Sequence, residues 1–178
     1  MIPILSIVGK SDSGKTFLIE RLISGLSSKG YRIAMIKHDV HGFDMDREGK
    51  DSWRHKQAGA STVIVSSPTK IAMIEEVEQE RSLEQIRDTW IRDVDLILTE
   101  GYKGADYPKV EVSLFGDSEE LLCTEKNRLV AVVANHDVFL DVPVFRQDEI
   151  PRFVDWVEKR FFRNQGSRGG GRATAPRG

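Results

Sequence analysis

The sequence predicts a three-layer α/β fold with a mostly parallel sheet and some antiparallel edge strands. Two observations support this prediction. Short, continuous apolar runs recur along the chain, which is typical of strands buried on both faces. Stretches with hydrophobic residues at helical spacing separate these runs, and alternation of this kind is typical of parallel α/β sheets. With 178 residues, the chain is long enough to bury a sizeable core.

The elements follow one another in a regular order. The predicted strands cover residues 4–8, 33–36, 62–65, 70–75, 95–99, 110–114 and 129–134. The predicted helices cover residues 15–29, 51–59 and 83–90, and a terminal helix begins near Pro151. The strands at 62–65 and 70–75 should form a hairpin that adds antiparallel strands to the sheet. Alternating polarity at 110–114 predicts an edge strand.

The end of the chain differs in composition from the rest. Residues 1–163 are predicted to form one domain, and the Gly/Arg-rich residues 164–178 are predicted to be disordered, because they contain no large apolar side chain. The formal net charge of the whole chain is −2. Since residues 163–178 hold four arginines and no acid, the preceding residues carry −6. This charge excludes a basic footprint for nucleic acid on the domain.

Other features of the sequence indicate a cytoplasmic protein. No apolar run approaches the roughly 20 residues needed to cross a bilayer, so no membrane association is expected. The first apolar run leads directly into a glycine loop and lacks the order of a secretory signal. The single cysteine, Cys123, excludes an internal disulfide framework and is consistent with a reducing compartment.

The strongest motif is a phosphate-binding loop of the form G-x-x-x-x-G-K-[ST], at residues 9–16 between a predicted strand and a predicted helix. Its glycines let backbone N–H groups turn inward around an anion, Lys15 reaches the β- and γ-phosphates, and the Thr16 hydroxyl ligates Mg²⁺. The motif therefore predicts a P-loop NTPase-type fold. The candidate nucleotide-binding residues are Gly9, Ser11, Asp12, Ser13, Gly14, Lys15 and Thr16.

An acid at the end of a neighbouring strand would complete the magnesium site. Glu100 comes directly after the apolar run at 95–99 and is the candidate. We expect it to lie near Thr16, because ligands of parallel sheets gather at the carboxyl ends of the strands. A solvated acid at a strand end is the alternative reading.

The stretch from Lys37 to His55 is rich in ionisable residues and should lie at the same sheet edge. One interpretation is a switch-like loop, with Asp39 or Asp51 close to the metal and Lys37 near phosphate oxygens. A solvated charged loop remains an alternative. A calcium loop is excluded, because its twelfth position is His55 where a glutamate is needed. Zinc binding by histidines is weakly supported, because no thiolate accompanies them.

The end of the strand at 129–134 offers candidates for base recognition. Asn135 and Asp137 follow it with the spacing N-x-D, which resembles the N-K-x-D signature of guanine-binding proteins with His136 in place of the lysine. An acid there would accept hydrogen bonds from the N1–H and amino group of guanine. Asn and Asp are also frequent turn residues, and the pattern leaves adenine open.

Three segments together resemble the MobB family of molybdopterin-guanine dinucleotide biosynthesis adaptor proteins. They are GKSDSGKT, KHDVHGFDMDREGKDSWRHKQAGA and DLILTEGYKGADYPKVEV, within residues 4–135. The resemblance implies a homodimer that binds GTP with Mg²⁺, hydrolyses it weakly, and assists the partner enzyme that attaches GMP to molybdopterin. It also implies nucleotide contacts by Gly14, Lys15 and Thr16, with Glu100 on the metal side. Asp51, Arg54 and His55 would lie near the nucleotide or a molybdopterin phosphate.

The expected chemistry is slow GTP hydrolysis at most. Lys15 and Mg²⁺ would neutralise charge on the transferred phosphoryl group, and an acid such as Asp39 would orient water. No arginine is placed as a finger in the same chain. Two alternatives remain. A small-molecule kinase would use the same loop with an arginine-bearing lid, and a metal-insertion chaperone GTPase would bind nickel or zinc through His38 and His41.

Overall fold

The computed structural model describes residues 1–115 and 121–162, which form eight strands and four α-helices. The strands are β1 (Ile4–Val8), β2 (Ile33–Lys37), β3 (Thr62–Ser67), β4 (Lys70–Glu75), β5 (Leu96–Glu100), β6 (Lys109–Ser113), β7 (Leu129–Ala134) and β8 (Val144–Phe145). The helices are α1 (Lys15–Ser28), α2 (Asp51–Gln57), α3 (Leu83–Trp90) and α4 (Ile150–Phe161). The predicted disordered tail, residues 164–178, lies outside the described residues.

The chain divides into two compact units. One comprises residues 1–38 together with the described residues from 93 onward, and the other comprises residues 39–92. None of the helices in the described part of the chain has the length and apolar character needed to cross a bilayer.

The first unit is built on a six-stranded sheet in which every neighbouring pair of strands is parallel. The strand order is β2-β5-β1-β6-β7-β8. β1 is buried along its whole length between β5 and β6, which explains its uninterrupted apolar sequence. The loop that follows β1 therefore begins near the middle of the strand order. It lies at the carboxyl ends of the strands, where parallel α/β folds bind ligands.

The main core lies between the sheet and helices α1 and α4. Helix α1 contributes three fully buried leucines at four-residue spacing to this core, namely Leu18, Leu22 and Leu26. Helix α4 contributes Phe153 and Val157, which are also fully buried. The two helices approach closely at Gly25, where an added Cβ would lie 2.9 Å from the nearest methyl carbon of Val154. The predicted α/β fold with a mostly parallel sheet is confirmed.

The second unit contains the predicted hairpin. β3 and β4 pair in antiparallel register, for example Ile64 with Met73, and form a two-stranded sheet of their own. The predicted placement of these strands in the main sheet is wrong, because in the described residues they pair only with each other. Helix α3 begins at the N-cap Ser82, whose hydroxyl accepts a hydrogen bond from the backbone N–H of Gln85, and the Gln85 side chain accepts one from the N–H of Ser82.

One strand prediction was wrong. We expected an edge strand at residues 110–114, but β6 lies between β1 and β7 and is buried. The alternating pattern was misleading because the two charged residues of β6, Lys109 and Glu111, are buried and form hydrogen bonds within the protein. The Lys109 ammonium donates hydrogen bonds to the carbonyl oxygens of Ala105, Tyr107 and Asn127. Glu111 accepts hydrogen bonds from two backbone N–H groups, those of Leu122 at 2.6 Å and Cys123 at 2.8 Å.

Replacing Lys109 tests this account of the strand. Because Lys109→Met removes the charged donor from three carbonyl oxygens, we expect the free energy of unfolding to fall by about 3 kcal/mol. Urea denaturation measures the change. Lys159→Met, on the exposed face of α4, is the matched control and should change stability by less than about 0.5 kcal/mol. Equal stability of the two variants would contradict a structural role for Lys109.

Candidate functional site

The loop at residues 9–16 joins β1 to α1 and has the backbone conformation of an anion-binding loop. Gly14 is the N-cap of α1, with a left-handed φ of 96°, and Asp12 also has a positive φ of 57°. The helix begins at Lys15, directly after the loop. Its free backbone N–H groups and its positive dipole end therefore face the loop, which favours a phosphate group.

Gly9 is required where the loop leaves β1. Its φ is 154°, and a Cβ at this position would lie 2.5 Å from the carbonyl oxygen of Val112 in β6 and 2.6 Å from Ser13 Oγ. Neither neighbour leaves room for a side chain. The loop consequently folds tightly against the end of β6, and the backbone N–H of Leu114 donates to the carbonyl oxygen of Ser13 at 2.9 Å.

Ser13 contributes a buried hydroxyl to this loop. Its side chain is buried, and its Oγ has no hydrogen-bond partner within the described residues. A buried hydroxyl without a partner costs free energy, so such a group usually has a role. The hydroxyl lies beside Gly9 and is not part of the cleft lining, so its contact with a nucleotide stays a prediction. The fit to phosphate rests on the start of α1 and on Lys15, whose side chain lines the cleft.

Lys15 lies in an open cleft of about 430 Å³ and donates a hydrogen bond from Nζ to the carbonyl oxygen of Lys10 at 2.6 Å. Partial burial lowers the pKa of the Lys15 ammonium, and the carboxylate of Glu100 opposes this effect. Lys103 and Lys37 contribute further to the lowering. The Asp12 carboxylate also opposes the lowering, so charges of both signs surround the Lys15 ammonium.

Glu100 ends β5 beside the loop. It lies opposite Ile7 of β1 on one side and Lys37 of β2 on the other. The backbone holds this position, because the Gly101 N–H donates to the Ile7 carbonyl and the His38 N–H donates to the Glu100 carbonyl. The cleft is lined by Ser11, Asp12, Gly14, Lys15, Thr16, Phe17, Glu100 and Phe115. The Thr16 hydroxyl and the Glu100 carboxylate are oxygen ligands of the kind that Mg²⁺ prefers.

Comparison with known proteins identifies the family. The model of the family described as "MobB: Molybdopterin guanine dinucleotide synthesis protein B" matches residues 4–135. The molybdopterin-guanine dinucleotide biosynthesis adapter protein of Haemophilus influenzae is 34% identical over 168 residues, 94% of each chain. Its Escherichia coli counterpart is 34% identical over 167 residues, 88% of this chain and 92% of the relative. The chain belongs to the MobB family.

A solved structure agrees with this assignment. The crystal structure of molybdopterin-guanine biosynthesis protein B, MobB, superimposes with a TM-score of 0.71 at 34% sequence identity. The match covers 86% of this chain and 97% of that protein. The MobB fold therefore accounts for most of the chain.

The loop residues and Glu100 are the predicted site residues that the structure brings together. Ser11, Asp12, Gly14, Lys15, Thr16 and Glu100 line one cleft, and Gly9 and Ser13 shape the loop itself. Lys37 lies next to Glu100 in the sheet. The cleft wall also includes two residues that the sequence reasoning missed, Phe17 and Phe115. An aromatic residue directly after a phosphate loop was a usable signal for Phe17, whereas no sequence pattern distinguishes Phe115.

The candidates for base recognition already have partners in the protein. The Asn135 amide donates to the carbonyl oxygen of Leu114 and to the side chain of Gln147, both at 3.1 Å. Asp137 forms an ion pair of 2.6 Å with Arg146. Asn135 and Asp137 do not line the cleft formed by the described residues. Their role in reading the base stays a prediction.

The remaining candidates, Asp39, Asp51, Arg54 and His55, belong to the unit of residues 39–92. Asp39 accepts a hydrogen bond from the His41 N–H, and Asp51, the first residue of α2, lies 3.8 Å from the Arg54 guanidinium. Both members of that ion pair are exposed, so it contributes little to stability. Over residues 1–115 and 121–162, no group of three or more histidine, cysteine or acidic residues is arranged to hold a metal ion. The roles of these four residues stay predictions.

Replacing Gly9 tests the geometry of the loop. In Gly9→Ala the new methyl group collides with the Val112 carbonyl, so we expect the affinity for tripolyphosphate to fall at least about tenfold and the free energy of unfolding to fall by about 2 kcal/mol. Calorimetry and urea denaturation measure the two effects. Gly104→Ala is the control, because no atom lies within 4 Å of its added Cβ. Wild-type affinity in Gly9→Ala would refute the loop geometry.

Proposed function

We propose that this protein is an adaptor in molybdopterin-guanine dinucleotide biosynthesis that binds GTP with Mg²⁺ and hydrolyses it slowly. The observation that carries the proposal is the preformed phosphate loop, with Lys15 and Glu100 in one cleft. The names of the relatives support the biosynthetic role. The partner would be the enzyme that attaches GMP to molybdopterin, and the compartment would be the cytoplasm.

The loop residues would act by position and charge. Backbone N–H groups at the start of α1 and the Ser13 hydroxyl would bind phosphate oxygens, and Lys15 would exchange its bond to the Lys10 carbonyl for one to the β- and γ-phosphates. Thr16 and Glu100 would hold Mg²⁺, with Asp51 as a further candidate. When bound, Mg²⁺ supplies charge neutralisation on the phosphate oxygens.

We expect slow hydrolysis because, among the described residues, the cleft is not lined by an arginine that could stabilise the transition state. Lys15 is therefore left to stabilise charge on the transferred phosphoryl group. Asp39 is our candidate for orienting the attacking water. Lys37, Arg54 and His55 are candidates for contacts with a phosphate of the nucleotide or of molybdopterin. Asn135 and Asp137 are candidates for guanine recognition.

A nucleotide panel by calorimetry tests the site. In Lys15→Ala we expect the GTP affinity to fall roughly 10- to 100-fold, because a charge-assisted hydrogen bond to phosphate is lost. Lys159→Ala removes an exposed lysine of α4 and should bind like the wild type. Omitting Mg²⁺ should weaken GTP binding in the wild type.

Three results would each contradict part of the proposal. Unchanged affinity in Lys15→Ala would refute the site. Equal wild-type affinities for ATP and GTP would refute the choice of guanine. Stoichiometric transfer of the γ-phosphoryl group to an added small molecule would identify a kinase and refute the adaptor role.

We further propose that the protein is a homodimer that associates through β3. The edge of β3 that faces away from β4 is not paired with another strand in the described part of the chain. A two-stranded sheet that has no further partner is only marginally stable. Apolar side chains of the hairpin are exposed, with 60% of Ile64 and 72% of Ile71 accessible to solvent.

The sequence of β3 supports pairing with a second copy of itself. Antiparallel pairing centred on Ile64 would place Ile64 against Ile64 of the second copy, Val63 against Val65, and Thr62 against Ser66. The two members of each pair have the same polarity, and both point to the same face of the strands, as cross-strand pairs require. The strand is thus nearly palindromic in chemical character and suits a two-fold axis.

Sedimentation analysis tests the dimer. Ile64→Lys would place two like charges opposite each other at the centre of the interface, so we expect a monomer where the wild type is a dimer. Val77→Lys, at a residue 48% exposed outside the two strands, should remain dimeric. A monomeric wild type at micromolar concentration, or a dimeric Ile64→Lys, would refute this interface.

A further inference from the structure

Phe115 is an aromatic side chain on the wall of the phosphate-loop cleft that the proposed chemistry leaves unused. It follows β6 by two residues and is 44% exposed. It lines the same cleft as Lys15 and Thr16. Large aromatic side chains are normally buried, so an exposed one in a cleft is a candidate for ligand contact.

The ring of Phe115 is held in position from several sides. A Cβ added to Gly14 would lie 3.1 Å from its Cδ2 and Cε2, so the ring packs directly over the N-cap of α1. Phe115 and Phe17 form an edge-to-face pair, with the two centroids 5.7 Å apart and the planes at 74°. The guanidinium of Arg21 covers the Phe17 ring at 3.4 Å. These contacts provide a firm support beneath the ring.

The backbone at Phe115 is also fixed. The N–H groups of Leu114 and Phe115 both donate to the Ser13 carbonyl oxygen, at 2.9 and 3.4 Å. The Asn135 amide donates to the Leu114 carbonyl oxygen at 3.1 Å. The position of the ring is therefore tied to the phosphate loop on one side and to the end of β7 on the other. Such preorganisation reduces the entropy lost when a ligand binds.

The strand order indicates on which side of the loop each end of a bound nucleotide would lie. Glu100 ends β5 and Phe115 follows β6, and these strands flank β1 on opposite sides. Glu100 lines the cleft together with Thr16 and Lys15, and Glu100 and Thr16 are the two candidate magnesium ligands, so we assign the metal and the terminal phosphates to the β5 side. The sugar and base must then leave the loop on the β6 side, where Phe115 lies.

We propose that the exposed part of the Phe115 ring is the stacking surface for the base of the bound nucleotide. This inference rests on the proposed nucleotide binding at the loop. Stacking on an aromatic ring tolerates any base, because every base has a π-face. Phe115 therefore supplies affinity, and the choice between guanine and adenine is made by hydrogen bonds elsewhere. Asn135 is a positioning residue for this stacking surface, because its amide holds the Leu114 carbonyl next to Phe115 in the chain.

Calorimetry with two probes tests the proposal on the full chain. GTP has a base, whereas tripolyphosphate offers only the phosphates. In Phe115→Ala we expect GTP affinity to fall about tenfold, the effect typical of losing one base–aromatic stack, with tripolyphosphate affinity unchanged. Phe115→Tyr should bind GTP like the wild type, because it keeps the ring. Phe139→Ala, which removes a ring that is 93% exposed and outside the cleft lining, is the matched control.

The outcomes separate this inference from the proposed function. If the wild type binds neither probe, the nucleotide site itself fails. If Phe115→Ala weakens both probes equally, the ring only supports the loop through Gly14, and the stacking role is refuted. Unchanged GTP affinity in Phe115→Ala refutes it as well. Phe115→Trp adds a spectroscopic test, because GTP should quench the added fluorescence, measured against the wild type, and tripolyphosphate should not.

Discussion

The close approach of the phosphate loop to the end of β6 is the constraint on which the rest of the site depends. Gly9 contacts the Val112 carbonyl so tightly that no side chain fits, and the Ser13 carbonyl accepts the backbone N–H groups of the two residues that follow β6. This contact exists only because β1 and β6 are parallel neighbours. The predicted phosphate loop and the segment that carries Phe115 are therefore joined by direct backbone contacts.

The same strand order places different side chains on the two sides of the loop. On the β5 side lie Glu100 and Lys37, whose charges act on Lys15. On the β6 side lie Phe115 and, through α1, Phe17. A nucleotide has the same polarity, with its charge at one end and a flat aromatic base at the other. Under the proposed function, Glu100 would lie toward the charged end of the nucleotide and Phe115 toward its base.

The buried charged residues of β6 explain why the prediction of an edge strand at residues 110–114 was wrong. The polar and apolar alternation of β6 is typical of a half-exposed strand, yet Lys109 and Glu111 are buried. Their partners are backbone carbonyl and N–H groups of residues distant from them in the chain or in irregular segments. A periodicity argument assumes that charged side chains face water, and it cannot detect partners of this kind.

By itself, the sequence determined the helices and seven of the eight strands, the phosphate-loop motif and the family resemblance, because these depend on local patterns. The two-residue strand β8 was not predicted, because it is too short to show a periodicity. The bounds of β1 were predicted as observed, and the predicted helix at 15–29 extends one residue beyond the observed end of α1 at Ser28. Tertiary structure alone decided that β6 is central, that the hairpin forms its own sheet, and that Asn135 binds the Leu114 carbonyl. It also decided which side chains share a cleft with Lys15. These features depend on strand order and long-range contacts, which no local pattern encodes.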